Sequence, residues 1–368
     1  MSLPMPRIAD EICVELLNEI IGEMHPGTRL VSARMVERKN YGEANVSSSV
    51  RATFELEYAP GASRMFATRV VIKLSMADDI WPAKLFPIYE NEVKFYKYAR
   101  PGLDLEVPVA LGARYDPMSK RFMVIMEDLG LRGAKFALQS DEPDVHKTQA
   151  VLDVHAKLHA TFWESPRFKT DLSFIQTHLE GSMEDLMHGL VRNGIQGELE
   201  KQVVKRELMG RLGMTEDEMF WATEAVKLHQ SRLPQTLVHG DSHFGNTYAL
   251  PDGKHGLADW QLCVRGYAMH DISYLINTSL SIELRRKHER ELLAFYRDRL
   301  SYYGVANPPD LETLWTEFRI GTLWTFYYGW LTAPLPNYGW ELLTVALLRT
   351  SAAFEDHETR QLVKRLTQ

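Results

Sequence analysis

The run His239-Gly240-Asp241-Ser242-His243-Phe244-Gly245-Asn246, followed by Leu257-Ala258-Asp259-Trp260, sets an acid, an amide and a second acid at a spacing suited to phosphoryl transfer. In the catalytic loop H-R-D-x-x-x-x-N of kinases, the Asp takes the proton of the substrate hydroxyl and the Asn holds metal. His239, Asp241 and Asn246 keep that spacing, with Gly240 where the arginine would stand. Asp241 is therefore the candidate base, and Asn246 and Asp259 are the candidate Mg²⁺ ligands. His239 reads as a hydrogen-bonding brace of the loop rather than a proton shuttle, and His243 likewise.

Turn chemistry links Asn246 to Asp259. Asp252-Gly253 is a strong signal for a two-residue hairpin turn. With those residues as the turn, paired positions sum to a constant and Asn246 is expected directly opposite Asp259. Facing residues have Cβ atoms about 4.5–5.5 Å apart, close enough for two oxygen ligands to share Mg²⁺, which takes few carboxylates alongside waters and phosphates. Taken singly, Gly-Asp or Asp-Trp is an ordinary turn or capped strand end. A serine hydrolase would need an apolar strand-to-helix elbow before Ser242. A dinuclear metallophosphoesterase would need a later Gly-Asn-His cluster. The chain has neither.

At 368 residues, 45% hydrophobic and 25% charged, the chain is long enough to bury a large core in two lobes. A net charge of -7 leaves no basic footprint for nucleic acid. Cys13 and Cys263 lie far apart, form no metal or redox motif and fit a reducing cytoplasm. Residues 10–24 carry acids and an apolar stripe, which reads as an amphipathic helix and not a signal peptide. The uncharged stretch Ile320–Trp340 is interrupted by Pro334, Pro336, Asn337 and Gly339, so a buried aromatic helix with its exit loop is expected there, not a membrane span.

The elements that must position these residues divide in two. Strands are expected over 31–38, 50–58 and 66–74, a helix over 83–100, and two further strands over 109–115 and 121–126. From Asp144 onward the pattern is helical apart from the hairpin beside the motif. An α+β bilobal protein follows, with a β-rich N-terminal lobe over 1–127, a helical lobe over 128–368 and a hinge at Glu127-Asp128-Leu129-Gly130; the likeness of the motif to the kinase catalytic loop makes a protein-kinase-like fold the expectation.

The β-rich lobe offers an ATP site. Lys73 sits in Val70-Val71-Ile72-Lys73-Leu74, like the V-A-I-K lysine that contacts phosphates and pairs with a helix glutamate. Taken alone it is an edge-strand lysine reaching water. The following helix offers Glu92 and Glu90, with Glu92 favoured. The loop Asn40–Ser49 lacks G-x-G-x-x-G, but its small residues and the hydroxyls of Ser47 and Ser48 could meet phosphates. Backbone groups of Glu127 and Leu129 are candidates to read adenine, with Val71 and Met126 as apolar walls.

These residues resemble the aminoglycoside phosphotransferase and choline kinase superfamily, most nearly its ecdysteroid kinase-like branch. The resemblance rests on His239-Gly240-Asp241-x-His243-x-x-Asn246 and Asp259-Trp260-Gln261. Phe86-x-x-Tyr89-x-x-Glu92-x-x-Phe95-Tyr96, Ile125-Met126-Glu127-Asp128-Leu129 and Leu158-His159-Ala160-x-Phe162-Trp163 add to it. It spans roughly residues 30–335 and implies Asp241 as base, Asn246 and Asp259 on Mg²⁺, and Lys73 with Glu92 positioning ATP. By the same resemblance Asp271 braces the catalytic loop.

The acceptor implied is a small hydroxylated molecule, because the interval from Asp259 to Asp271 is too short for a peptide-docking segment. Trp315, Phe318, Trp324, Phe326, Tyr327, Tyr328, Trp330, Tyr338 and Trp340 make the late chain aromatic-rich. Most of these suit a core, and some suit a pocket for an apolar alcohol or quaternary ammonium. The contrasting reading is a silent nucleotide-binding pseudokinase, which typically lacks the lysine, the base or a metal ligand; all are present here. His155 and His159, one helical turn apart, read as helix-packing residues and not a zinc site.

Overall fold

In the computed structural model, described over residues 2–39, 48–61, 67–138 and 141–367, the chain falls into two units. One comprises Met1–Lys135 with Leu250–Lys254, the other Phe136–Ala249 with His255–Gln368. The first carries a five-stranded sheet and the second is mostly helical, giving the α+β class expected.

The first unit runs α1 (Val14–Met24), β1 (Leu30–Lys39), β2 (Ser49–Tyr58), β3 (Arg69–Ser75), α2 (Ile80–Lys94), β4 (Ala110–Asp116) and β5 (Arg121–Glu127). The sheet is antiparallel in the order β1-β2-β3-β5-β4. Leu16, Leu17, Ile20 and Ile21 form the buried stripe of α1, and Asn18 pins the start of β1 by accepting from Leu30 N–H (2.6 Å) and donating to its carbonyl (3.0 Å). Gly112 on β4 allows the close approach of α1: a Cβ there would lie 3.0 Å from Ile20 Cγ2.

Alternation along β3 sends Val70, Ile72 and Leu74 into the core. Lys73 points to the opposite face and is nonetheless buried. The β3–α2 connection is wound round one buried side chain. Arg121 Nη1 donates to Met76 O (2.7 Å), and Nη2 to Ala77 O (3.1 Å), Asp78 O (2.9 Å) and Asp79 Oδ1 (2.8 Å). Asp78 Oδ1 then accepts from the N–H groups of Ile80 and Trp81, starting α2 three residues earlier than expected. The helix holds Pro87 and passes into a π-helical turn over Phe95–Ala99.

The second unit opens with α3 (Val145–Phe162), capped by the Asp144 carboxylate on Lys147 N–H. Its centre is the helix Met269–Ser279, in which every residue is buried. The 311–331 helix approaches it closely through two glycines. A Cβ on Gly321 would overlap Ser273 Oγ, and one on Gly329 would sit 2.5 Å from the Tyr274 ring. The aromatic stretch is helical to Leu331, its last turn π-type, and a new helix starts at Leu335. Phe318, Trp324, Phe326, Tyr327, Tyr328 and Trp330 are core, whereas Tyr338 and Trp340 are exposed. No described helix is long and apolar enough to cross a membrane.

Arg121→Leu should destabilise the first unit by at least about 1–3 kcal/mol, the cost of leaving buried carbonyls unpaired. Urea unfolding followed by tryptophan fluorescence checks this, and an unchanged midpoint would contradict the role given to Arg121.

Candidate active site

Strand Thr236–Val238, paired with Val264–Gly266, delivers the chain to His239. Gly240 then takes φ +85, and a Cβ there would overlap the Leu262 carbonyl oxygen. The arginine of the kinase template therefore has no room at this position. Both amides of the turn end on one carboxylate. Asp271 Oδ2 accepts from His239 N–H (2.6 Å) and Oδ1 from Gly240 N–H (2.9 Å). His159 Nε2 donates to the same Oδ2 (3.0 Å), leaving its Nδ1 to accept from the Tyr296 hydroxyl (2.7 Å). Burial pushes the Asp271 carboxyl upward, but the hydrogen bond from His159 outweighs it and holds it well below the carboxylate range.

Histidines tie the rest of the loop. His239 Nδ1 accepts from Asp241 N–H (3.3 Å), so its Nε2 carries the proton donated to Ala258 O (3.0 Å), the residue before Asp259. His155 Nδ1 donates to Val151 O (2.9 Å), and its Nε2 accepts from Ser242 Oγ (3.0 Å). Burial lowers His155 to about 4. His270 Nε2 donates to Gly240 O (3.3 Å).

Asn246 Nδ2 donates to Asp241 O (2.9 Å) and Oδ2 (3.1 Å), and His243 Nε2 lies 3.6 Å from Oδ2. Burial raises the Asp241 carboxyl, His243 and His239 lower it, Asp259 opposes them, and the balance leaves it below its ordinary value. It is thus an ionised acceptor near neutrality. The Tyr274 hydroxyl, pushed up first by burial and then by Asp241, lies against the same carboxylate, and Gly329 makes room for its ring.

The hairpin register corrects one expectation. Thr247 faces Leu257, Tyr248 faces Gly256 and Ala249 faces His255, and Ala258 N–H donates to Asn246 O (2.9 Å). Asn246 therefore stands opposite Ala258 and not Asp259. The turn holds three residues rather than two. Leu250 N–H donates to Lys254 O (2.8 Å), Gly253 N–H donates to Leu250 O (3.0 Å), and Gly253 lies at φ +85. A slip of one residue would normally send Asp259 to the far face. The strand ends at Leu257, however, and Asp259 adopts a left-handed backbone (φ 67, ψ 72) that redirects it, so its charge still acts on Asp241. Such a conformation costs a non-glycine residue about 1–3 kcal/mol and is typical of functional positions.

In the first unit Lys73 Nζ lies 2.9 and 2.8 Å from the two Glu92 carboxylate oxygens, both side chains 1% exposed. Glu90 pairs instead with Lys94 (2.8 Å). Ser47 lies outside the described residues, and the Ser48 carbonyl accepts from the Tyr89 hydroxyl. At the end of β5, Glu127 N–H donates to Val109 O (2.9 Å) and Leu129 O accepts from Ala134 N–H (3.1 Å). The structure thus groups Asp241, Asn246, Asp259, His239 and Asp271 in the second unit, and Lys73 with Glu92 in the first. His155 and His159, expected as helix-packing residues, instead hydrogen-bond Ser242 and Asp271. Their i, i+4 spacing on one helix face was the available signal. Tyr274 was missed entirely.

A model of the ecdysteroid kinase-like family matches residues 41–303, well over half of the sequence. The chain belongs to this family. No curated protein matches it. Among solved structures, this ecdysteroid kinase-like chain is similar to a choline kinase from Cryptosporidium parvum Iowa II (TM-score 0.55, 11% identity, covering 96% of this chain and 97% of that one). It is also similar to a Ralstonia eutropha JMP134 protein assigned as an aminoglycoside phosphotransferase (TM-score 0.51, 14% identity, 94% and 98% covered). At these identities the likeness is one of fold, that of small-molecule kinases.

Asp271→Ala should cost at least about 1–3 kcal/mol, the cost of leaving the buried N–H groups that it accepts from unpaired, with Tm as readout. Acid should act in the same direction. His155, His178 and His270 are all lowered by burial, so below about pH 6.5 the unfolded chain takes up protons that the folded one refuses. Their stabilisation is complete above about pH 6.5 and is lost as pH falls toward the folded value, about 4 for His155. Thermal melts should therefore show a lower Tm at about pH 5 than at about pH 7.5; a flat profile would contradict the buried neutral state.

Proposed function

We propose that this protein is an ATP-dependent phosphotransferase that moves the γ-phosphoryl group to a hydroxyl of a small molecule, in the cytoplasm. The observation that carries the reading is the Asp241 carboxylate, ionised, fixed at 3.1 Å by the Asn246 amide and adjacent to a second carboxylate, Asp259. Two acids and an amide that share one field make an all-oxygen donor set suited to a hard divalent cation. Asn246, through its amide oxygen, and Asp259 are the residues that would hold Mg²⁺. When bound, Mg²⁺ neutralises charge on the phosphate oxygens.

The chain's own residues do the rest. Asp241 accepts the hydroxyl proton of the acceptor and orients its oxygen for in-line attack. Lys73, held by Glu92, supplies a fixed positive charge to ATP phosphates. At the hinge the Glu127 carbonyl and the Leu129 N–H, the groups not used in the bonds above, are assigned to adenine. Ser48, with Ser47, is assigned to the phosphate loop. His239 and Asp271 hold the loop and do not touch the reacting atoms. The acceptor assigned is a metabolite alcohol with an apolar body, ahead of a polycationic aminoglycoside.

The test is ATP turnover with Mg²⁺ over a panel of sterols, hydroxyacyl compounds, choline and aminoglycosides. Asp241→Ala should lower turnover by about 10²–10⁴-fold, the usual contribution of a general base, with ATP affinity retained. Lys73→Met should instead raise the KM for ATP. A variant at Asp241 with unchanged turnover would overturn the assignment. ATP binding with no turnover on any acceptor would favour a nucleotide-binding scaffold.

A further inference from the structure

The sheet of the first unit has two faces, and α1 covers one of them. Ala52, Phe54 and Leu56 of β2, Val70 and Ile72 of β3, and Met123 and Ile125 of β5 share an apolar core with that helix. Alternation sends the residues between them to the opposite face, where Lys73 meets Glu92. The register gives the order of that face row by row. Glu55 stands opposite Arg69. Thr53 stands opposite Val71, with Met126 beyond it on β5. Arg51 stands opposite Lys73, with Val124 beyond it, and Ser49 opposite Ser75 ends the series.

Charge is arranged differently in two of these rows. Around Glu55 the signs alternate across the sheet. Arg34 of β1 pairs with Glu55, Glu55 faces Arg69, and Arg69 Nε lies 2.9 Å from Asp128 Oδ2. Four residues along β2, the two facing residues are both cations, Arg51 and Lys73. Facing side chains have Cβ atoms about 4.5–5.5 Å apart, and like charges set directly opposite each other disfavour the pairing. Lys73 is 1% exposed and held by Glu92, whereas Arg51 is half-buried.

We propose that Arg51 is a second phosphate-binding cation of the nucleotide site, acting beside Lys73. The row of Thr53, Val71 and Met126 is largely apolar, and the cationic row follows it about 7 Å along the strands. That is the order of base and phosphates in a nucleotide. A polyphosphate on the cationic row gives both side chains an anion and offsets their mutual repulsion. The two cations differ in kind. Lys73 is a compact charge fixed by Glu92, and the guanidinium of Arg51 can meet two phosphate oxygens at once. The inference rests on the ATP-dependent reading of this protein, to which it adds a residue of β2.

The experiment is calorimetric titration of the full chain with ATP and Mg²⁺, and separately with adenosine. It compares the wild type with Arg51→Gln, Arg51→Met and Arg51→Lys. Affinity for ATP should fall at least about tenfold in Arg51→Gln, as the loss of a charge-assisted contact requires. Adenosine should bind that variant as it binds the wild type, which a merely structural role would not allow. Arg51→Met should behave alike and carries the test if Arg51→Gln does not fold. Arg51→Lys, which keeps the charge and loses the fork, should recover part of the ATP affinity. Full ATP affinity in a folded Gln or Met variant, or equal losses for ATP and adenosine, would overturn the proposal. A wild type that does not bind ATP would overturn the nucleotide reading itself, and this inference with it.

Discussion

The loop from His239 to Asn246 depends on one buried carboxylate. Asp271 collects the N–H groups of His239 and Gly240 and the imidazole of His159, and so orients two successive amides at once. A carboxylate accepting several bonds in a buried site is strongly held in its ionised form, and it is carried on a helix buried along its whole length. The loop inherits the rigidity of that helix. Gly240 follows from the same constraint: the turn that presents both amides to Asp271 needs a positive φ and brings the backbone against Leu262, which only glycine tolerates.

From this anchor the polar network spreads outward in ordered steps. Tyr296 fixes the His159 tautomer, and His155 holds Ser242. His239 ties the segment before Asp259 to the backbone of Asp241. The glycines at 321 and 329 let the neighbouring helix come near enough to seat Tyr274 beside Asp241. The site is thus positioned by buried side chains whose polar atoms are paired, so its geometry is paid for within the second unit. In the first unit the Lys73–Glu92 pair has the same character: two charges removed from water and matched to each other, on a strand and a helix joined by the loop that Arg121 winds.

Much of this was legible in the sequence because the informative residues are close together along the chain. The H-x-D-x-x-x-x-N spacing and the alternation of β3 depend on local pattern, and the preference for Glu92 over Glu90 on the resemblance of its helix to the family's. What was not legible depends on contacts distant in sequence or on backbone detail. The pairing of His159 with Asp271 spans 112 positions, and nothing local distinguishes it from helix packing. The hairpin was misjudged by one residue because Asp-Gly fits both a two-residue turn and a three-residue turn with glycine at its last position. Compensation by the left-handed Asp259 is a tertiary effect that no pairing rule foresees. The start of α2 was misplaced because Asp78 and Arg121, not helix periodicity, set it.

In the proposed reaction, the loop organised by Asp271 presents Asp241 as the base for transfer of a phosphoryl group to an alcohol. The most direct measurement is phosphorus NMR of the protein with ATP, Mg²⁺ and a pooled set of small alcohols, run in parallel with Asp241→Asn. A phosphomonoester signal should grow with ADP in the wild type and be missing in the variant. The same monoester from Asp241→Asn, or a wild type that releases only inorganic phosphate, would contradict it.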